Sequence, residues 1–124
     1  MKDEIITSKA PGAIGPYSQG ISLATMVYTS GQLGMNTEGV LPATVEEQTK
    51  QSLENVKAVL EAAGSSMDKV VKTTVFLKDM NDFAQMNQVY ATFFAADCPA
   101  RSAVEVARLP KDVMVEIEAI AVLG

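Results

Sequence analysis

One segment of the chain carries a helix signal at each of its ends. Thr44 is followed three residues later by Glu47, the spacing of a capping box, and Gly64 suits the turn that ends a helix. Between these signals, apolar residues recur along one side: Val45, Leu53, Val56, Val59, Leu60 and Ala63. The segment therefore predicts an amphipathic helix, which needs an apolar partner surface elsewhere in the chain.

That partner surface is predicted to be a β-sheet, because the rest of the chain is rich in short β-branched and apolar runs. Strands are expected around Glu4–Thr7 and at Ile21–Leu23, Met26–Ser30, Val70–Leu77, Arg101–Leu109 and Val113–Leu123. The last two are expected to pair as a hairpin across a tight turn at Pro110–Asp112. A second helix is expected to be capped by Asn81, with apolar residues along one side: Phe83, Met86, Val89, Tyr90 and Phe93.

These elements predict an α+β fold, in which a mixed six-stranded sheet carries two helices on one face. A chain of 124 residues is long enough for one core and not for two, so residues 1–124 are expected to form a single domain. The other face of such a sheet would be left uncovered. Association between copies is the simplest way to cover it, and we therefore expect an oligomer.

Composition excludes several classes of function. The chain has no histidine and one cysteine, which excludes a disulfide framework, His-ligated metal sites and Ser-His triads. A formal net charge of −5 argues against a nucleic-acid partner. The charged N-terminal segment lacks the apolar run of a signal peptide, and no uncharged stretch is long enough to span a membrane. The expected location is the cytoplasm, with no metal and no membrane partner.

Arg101 and one glutamate of the last strand, Glu116 or Glu118, are the candidates for chemistry at an anionic substrate. Both arginines of the chain, Arg101 and Arg108, lie in one segment, and small residues beside Arg101 leave space for a ligand carboxylate. The alternative is an ordinary ion pair at a strand end. Glu116 and Glu118 share one face of a mostly apolar strand, where a carboxylate is costly unless it is solvated, paired or functional. The bland interpretation of Glu116 is an edge residue in solvent.

Three further positions are candidates on weaker grounds. Tyr17 follows Gly-Pro in a turn that would present its phenol, or it is simply a packed loop aromatic. Gly31 follows Ser30 at a strand end, where a bare backbone can approach a ligand. Asn87 is a polar residue in the second helix, and most such residues face water.

The chain resembles the RidA family, also called YjgF, of reactive intermediate (imine/enamine) deaminases. The resemblance covers nearly the whole chain and is carried by AIGPYSQG (13–20), TSGQLG (29–34), QSLENVKAVLEAAG (51–64), VVKTTVFLKDMNDFAQMNQVY (70–90) and PARSAVEVARLPKDVMVEIEAIAV (99–122). It implies a chorismate-mutase-like fold assembled as a homotrimer, with sites between subunits. It also implies hydrolysis of 2-iminobutanoate and 2-iminopropanoate, and of enamine tautomers such as 2-aminoacrylate, to 2-oxo acids and ammonia without a cofactor, which protects pyridoxal-phosphate enzymes.

The resemblance also implies roles for individual residues. Arg101 matches the carboxylate-binding arginine, Glu116 the water-positioning glutamate and Tyr17 the turn tyrosine. The positions expected to bind substrate are Ser30, Gly31, Asn87 and Ala103. Many members carry cysteine where this chain has Ala103, and its contribution is expected to be a backbone N–H.

Two other functions use the same features and stay open at this point. Older descriptions of similar sequences are endoribonuclease and translation inhibitor. A non-catalytic binder of small carboxylates, or a chaperone-like trimer, would use the same arginine. Glu116 favours chemistry, because binding alone does not require a water-holding carboxylate.

Overall fold

A mixed sheet carries both α-helices on one face in the computed structural model, which describes all residues from 1 to 124. The strands are β1 (Lys2–Ile5), β2 (Gly20–Leu23), β3 (Met26–Thr29), β4 (Gln32–Leu33), β5 (Val70–Leu77), β6 (Ala100–Glu105) and β7 (Val115–Val122). The helices are α1 (Val45–Ala62) and α2 (Phe83–Ala91), and short 3₁₀ turns occupy Met67–Lys69, Met80–Asp82 and Pro110–Asp112. The predicted α+β class is confirmed.

The sheet has seven strands in the order β1-β2-β3-β7-β5-β6, and β4 also pairs with β7. Strands β2 and β3, both at predicted strand positions, pair as an antiparallel hairpin, with Ile21 opposite Tyr28. The first strand begins at Lys2 and ends at Ile5, which is earlier than expected. The extra strand is β4, whose two residues are too few to show a periodic pattern.

The predicted hairpin between the last two strands is wrong. Strand β6 ends at Glu105 instead of Leu109 and pairs in parallel with β5, while β7 lies on the other side of β5. Parallel strands need a crossover connection, and α2 supplies it between β5 and β6. The turn at Pro110–Asp112 is present, but it leads from a segment outside the sheet into β7.

Helix α1 begins and ends where the sequence predicts. The Thr44 side chain accepts a hydrogen bond from the backbone N–H of Glu47, and Gly64 adopts a φ of +89°, which glycine tolerates. The expected cap of the second helix is wrong. Asp79 accepts a hydrogen bond from the Asn81 N–H, so that Asn81 lies in the 3₁₀ turn that precedes α2.

Alternation along β7, and along β5 from Thr73 to Leu77, separates the two faces of the sheet. Val75, Leu77, Val115 and Ile117 are buried against the helices, in a core that also contains Leu53, Val56, Val59, Leu60, Met86 and Tyr90. The alternate residues, among them Phe76, Glu116 and Glu118, are half-buried and point to the opposite face.

No helix covers that opposite face, which we call the open face. Leu23, Tyr28 and Val104 remain exposed there, next to the half-buried Ile120. This is the face on which sequence considerations predict association between copies. Neither helix has the length and apolar character that crossing a membrane requires.

Candidate active site

A cleft of about 800 Å³ opens where β3 breaks off and β4 begins. Four of the residues expected at a substrate site line it: Tyr17, Ser30, Gly31 and Glu116. Glu118 and Lys111 also line it, so the cleft contains two carboxylates and one ammonium group. It combines a concave surface with few charged groups, as small-molecule sites do.

The break between β3 and β4 is built by local hydrogen bonds. Both strands pair with β7, and Ser30 and Gly31 lie between them outside the ladder. The Thr29 hydroxyl accepts the hydrogen bond of the Ala119 N–H at 3.0 Å, which replaces a backbone acceptor. The Ser30 N–H turns to the Gln19 carbonyl oxygen at 2.9 Å. Ser30 and Gly31 therefore lie outside the β7 ladder and line the cleft.

Gly31 admits the side chain of Glu116. A Cβ atom at position 31 would lie 2.0 Å from Oε2 of Glu116 and 2.8 Å from its Cδ. No side chain can share that space, so glycine is required for the carboxylate to adopt this position. The sequence predicts that bare backbone approaches a ligand here, which stays a prediction; the structure places the Glu116 carboxylate against Gly31.

The environment of Glu116 favours the protonated carboxyl more than water does. Burial raises the pKa of Glu116, and the negative charge of Glu118 raises it further. A carboxylate with a raised pKa is a stronger base than an exposed one. Glu116 is thus suited to accept a proton from a bound water molecule.

Tyr17 lies on a loop that side-chain hydrogen bonds hold in place, most of them from Gln19. Gln19 is buried; its amide nitrogen donates to the backbone oxygens of Thr7, Ala10 and Pro11, and its amide oxygen accepts from the Thr7 N–H. Tyr17 itself is 53% exposed, and its hydroxyl accepts a long hydrogen bond of 3.4 Å from the Ile14 N–H. Its phenol is therefore accessible at the cleft and only weakly engaged.

The remaining candidates lie together at a second place. Arg101 and Ala103 are on β6, and Nη1 of Arg101 donates to Oδ1 of Asn87 on α2 at 2.7 Å. The Arg101 guanidinium lies over the rings of Tyr90 and Phe83. Asn87 is thus engaged with Arg101 instead of facing water alone.

The two groups lie on opposite faces of the sheet. Arg101 is paired with Thr73, which is buried on the helix side, whereas Glu116 is paired with Phe76, which points to the open face. Within one chain the arginine and the glutamate therefore do not form a common site. A hairpin of the last two strands would bring one of their glutamates near the Arg101 strand; that hairpin does not form, and β5 separates the two strands.

Sequence considerations missed the aromatic surroundings of Arg101 and the second carboxylate in the cleft. Phe83, Asn87 and Tyr90 follow one another at helical spacing, a signal that could have placed them on one face. The sequence predicts Phe83 and Tyr90 only as members of the apolar side of the second helix. Glu118 was noted beside Glu116, but its effect on the pKa of Glu116 requires the cleft geometry.

Residues 7–123 match the family described as Endoribonuclease L-PSP. The chain belongs to this family. It is the RidA family that the sequence motifs resemble, and the resemblance is confirmed.

Relatives of known structure or curated name match along nearly their whole length. The 2-iminobutanoate/2-iminopropanoate deaminase of Escherichia coli is 58% identical over 126 aligned residues, which cover 98% of each chain. The crystal structure of E. coli TdcF with bound serine has a TM-score of 0.95 at 55% identity, covering 98% of this chain and 99% of that one. Yeast Mmf1 has a TM-score of 0.97 at 40% identity, covering 100% of both chains.

Proposed function

We propose that this protein hydrolyses 2-imino acids, such as 2-iminobutanoate and 2-iminopropanoate and their enamine tautomers, to 2-oxo acids and ammonia. The observation that carries the proposal is the Glu116 carboxylate, held against Gly31 in a cleft that raises its pKa. The name of the E. coli deaminase supports the same reaction. The serine bound to E. coli TdcF in its crystal structure supports an α-carboxylate ligand, a group that 2-imino acids share.

The reaction needs a placed water and an oriented substrate, because an imine carbon is already electrophilic. In the proposed mechanism Glu116 holds the water and accepts one of its protons as the oxygen adds to the imine carbon. The proton then passes from Glu116 to nitrogen, which gives a carbinolamine. The remaining hydroxyl proton is transferred to nitrogen as the C–N bond breaks, so that ammonia leaves and the 2-oxo acid remains. Tyr17 is placed at the mouth of the cleft, where its hydroxyl can assist this proton transfer. No cofactor takes part in any step.

Arg101 is the proposed partner of the substrate carboxylate. The Arg101 side chain forms no ion pair. The one salt bridge of the chain joins Arg108 to Asp112. No carboxylate of the chain therefore neutralises the Arg101 guanidinium, and its paired N–H donors are available to bind an anion. Ser30, Gly31, Asn87 and the Ala103 N–H are proposed to line the substrate around these two groups.

A site that needs both Arg101 and Glu116 requires a second copy of the chain, because the two lie on opposite faces of one sheet. We propose that the copies form a homotrimer with its sites between subunits, which is the assembly that the RidA resemblance implies. In this arrangement one subunit supplies Glu116 from its open face, and a neighbour supplies Arg101 from the exposed edge strand β6. The reaction is assigned to the cytoplasm, with the imine as the only small-molecule partner.

The primary test measures ammonia and 2-oxo acid released from 2-iminopropanoate that an amino-acid oxidase generates in the cuvette. Glu116→Gln is expected to lower kcat by about a hundredfold or more. Arg101→Lys is expected to raise KM, whereas Arg108→Lys, its exposed counterpart, leaves both constants unchanged. Imine hydrolysis no faster than in buffer alone would refute the proposed function.

A mixing experiment tests the shared site. Subunits carrying Glu116→Gln and subunits carrying Arg101→Lys are unfolded together in equal amounts and refolded. If each site takes its arginine and its glutamate from different subunits, about a quarter of the sites regain both groups. Recovered activity near that fraction supports the shared site. Activity is measured at an imine concentration well below KM, where both parents are slow; if mixtures stay as slow as either parent, the site lies within one chain.

The family description also names an endoribonuclease. The net charge of −5 and the absence of histidine argue against that activity in this chain. The same purified protein is assayed with RNA at low salt. Cleavage that vanishes in Arg101→Lys would favour the nuclease over the deaminase.

A further inference from the structure

Arg101 lies over aromatic rings instead of beside a carboxylate. Its Cζ atom is 4.7 Å from the centroid of the Tyr90 ring and 5.4 Å from that of Phe83. The only hydrogen bond of its guanidinium is the one from Nη1 to Asn87. A ring face attracts the cation and fixes the plane of the guanidinium while most of its N–H donors stay free.

The Tyr90 ring is itself held rigidly. Its hydroxyl lies 2.7 Å from the Thr73 hydroxyl, and both side chains are buried. Thr73 is the residue of β5 that pairs with Arg101 of β6, so the two side chains are neighbours on the same face. The ring of Phe94 packs against Tyr90 with its centroid 4.7 Å away. The ring under Arg101 thus has little freedom to tilt or rotate.

We propose that Tyr90, locked by Thr73, is a positioning residue that presents the Arg101 guanidinium to the substrate carboxylate. The inference rests on the proposed role of Arg101 in the imine hydrolysis. If Asn87 were its only contact, the Arg101 side chain could rotate about its side-chain bonds. Each ligand that binds would then have to immobilise it, and the lost conformational entropy would weaken binding. Stacking on a fixed ring removes that freedom before the ligand arrives. Burial raises the pKa of the Tyr90 phenol, which keeps this ring neutral.

The presence of just two arginines makes the proposal directly observable. With ¹⁵N-labelled arginine, the folded protein gives one Nε–H signal from Arg101 and one from Arg108. Arg108 pairs with Asp112 on the surface and serves as the internal reference. We expect Tyr90→Leu to move the Arg101 signal towards that of a free side chain and to leave the Arg108 signal in place. An Arg101 signal unchanged in Tyr90→Leu would overturn the proposal.

Ligand binding supplies the second measurement, with 2-oxobutanoate as the probe in calorimetry. We expect Tyr90→Leu to raise the Kd about tenfold and the KM for imine by a similar factor, with kcat nearly unchanged. Tyr90→Phe keeps the ring and is expected to stay within about threefold of the unaltered protein. A Kd unchanged in Tyr90→Leu, or a fall confined to kcat, would overturn the proposal.

A third variant covers the case in which Tyr90→Leu does not fold. Thr73→Val keeps the buried shape of the strand and removes only the hydroxyl that locks Tyr90. Thr73→Val is expected to shift the Arg101 signal and to weaken 2-oxobutanoate binding less than tenfold. An unshifted signal would overturn the role of the Thr73 hydroxyl in fixing the Tyr90 ring. Because these readouts need no turnover, they stay distinct from the proposed function, which fails only if the unaltered protein does not hydrolyse the imine.

Discussion

Replacing Gly31 by alanine should disable the proposed base and leave the fold intact. The new Cβ would lie 2.0 Å from Oε2 of Glu116, whereas ordinary contacts begin at 3.4 Å, so the carboxylate oxygen must retreat by about 1.4 Å. A misplacement of about 1 Å can cost on the order of a hundredfold in rate. The clash is with the far end of a flexible side chain, so the loss of unfolding free energy should stay below about 1 kcal/mol.

The assay compares kcat, KM and thermal unfolding of Gly31→Ala with those of Gly12→Ala. Gly12 lines the same cleft, and a Cβ there would have no neighbour within 4 Å, so its substitution should leave kcat unchanged. We expect kcat of Gly31→Ala to fall about a hundredfold at nearly constant KM, since Arg101 is not disturbed. If Gly31→Ala kept its full kcat, the position of the Glu116 carboxylate would not matter for the reaction. If it unfolded several degrees earlier, the carboxylate would be unable to move as argued.

Two further predictions concern the pKa of Glu116 and a buried amide side chain on α1. Glu118→Gln removes a negative charge that raises the pKa of Glu116. Because Glu116 acts as a base when it is deprotonated, the acidic limb of the kcat/KM profile should move to lower pH. A limb that does not move would contradict this effect of Glu118 on Glu116. Asn55→Ala should lower the free energy of unfolding by about 2 kcal/mol in chemical denaturation, because its buried amide donates to the backbone oxygens of Leu33 and Met35. Glu54→Ala, on the exposed side of the same helix, is the control and should change little.

Local signals explain why part of the fold was predictable. The Thr44 cap and Gly64 lie at the two ends of α1, and each can be recognised from a few adjacent residues of the sequence. Strand pairing is not local. The alternation of Ser102, Val104 and Val106 is compatible with a hairpin to β7 or with a parallel ladder to β5, and only the α2 crossover decides between them.

Buried polar residues on α1 were unpredictable for a related reason. Gln48, Ser52 and Asn55 are buried, although their side chains resemble those of a solvated helix face. Ser52 donates to the Gln32 carbonyl oxygen, and the Gln48 amide oxygen accepts from the Met114 N–H. Ser52 thus satisfies a backbone group of β4, and Gln48 satisfies one in the segment that leads into β7. The sequence pattern does not reveal that either group lies beside α1.

The candidate site shows most clearly where sequence reasoning ends. Alternation assigns Arg101 and Ala103 to one face of their strand, and Glu116 and Glu118 to one face of theirs. It does not say whether those faces coincide, because that depends on the register of both strands against β5. Arg101 pairs with position 73 and Glu116 with position 76, an odd separation, which places the two side chains on opposite faces. A shift of one residue in either register would bring them to the same face. The proposed sharing of the site between two subunits thus rests on the parity of two strand registers, which only the folded chain reveals.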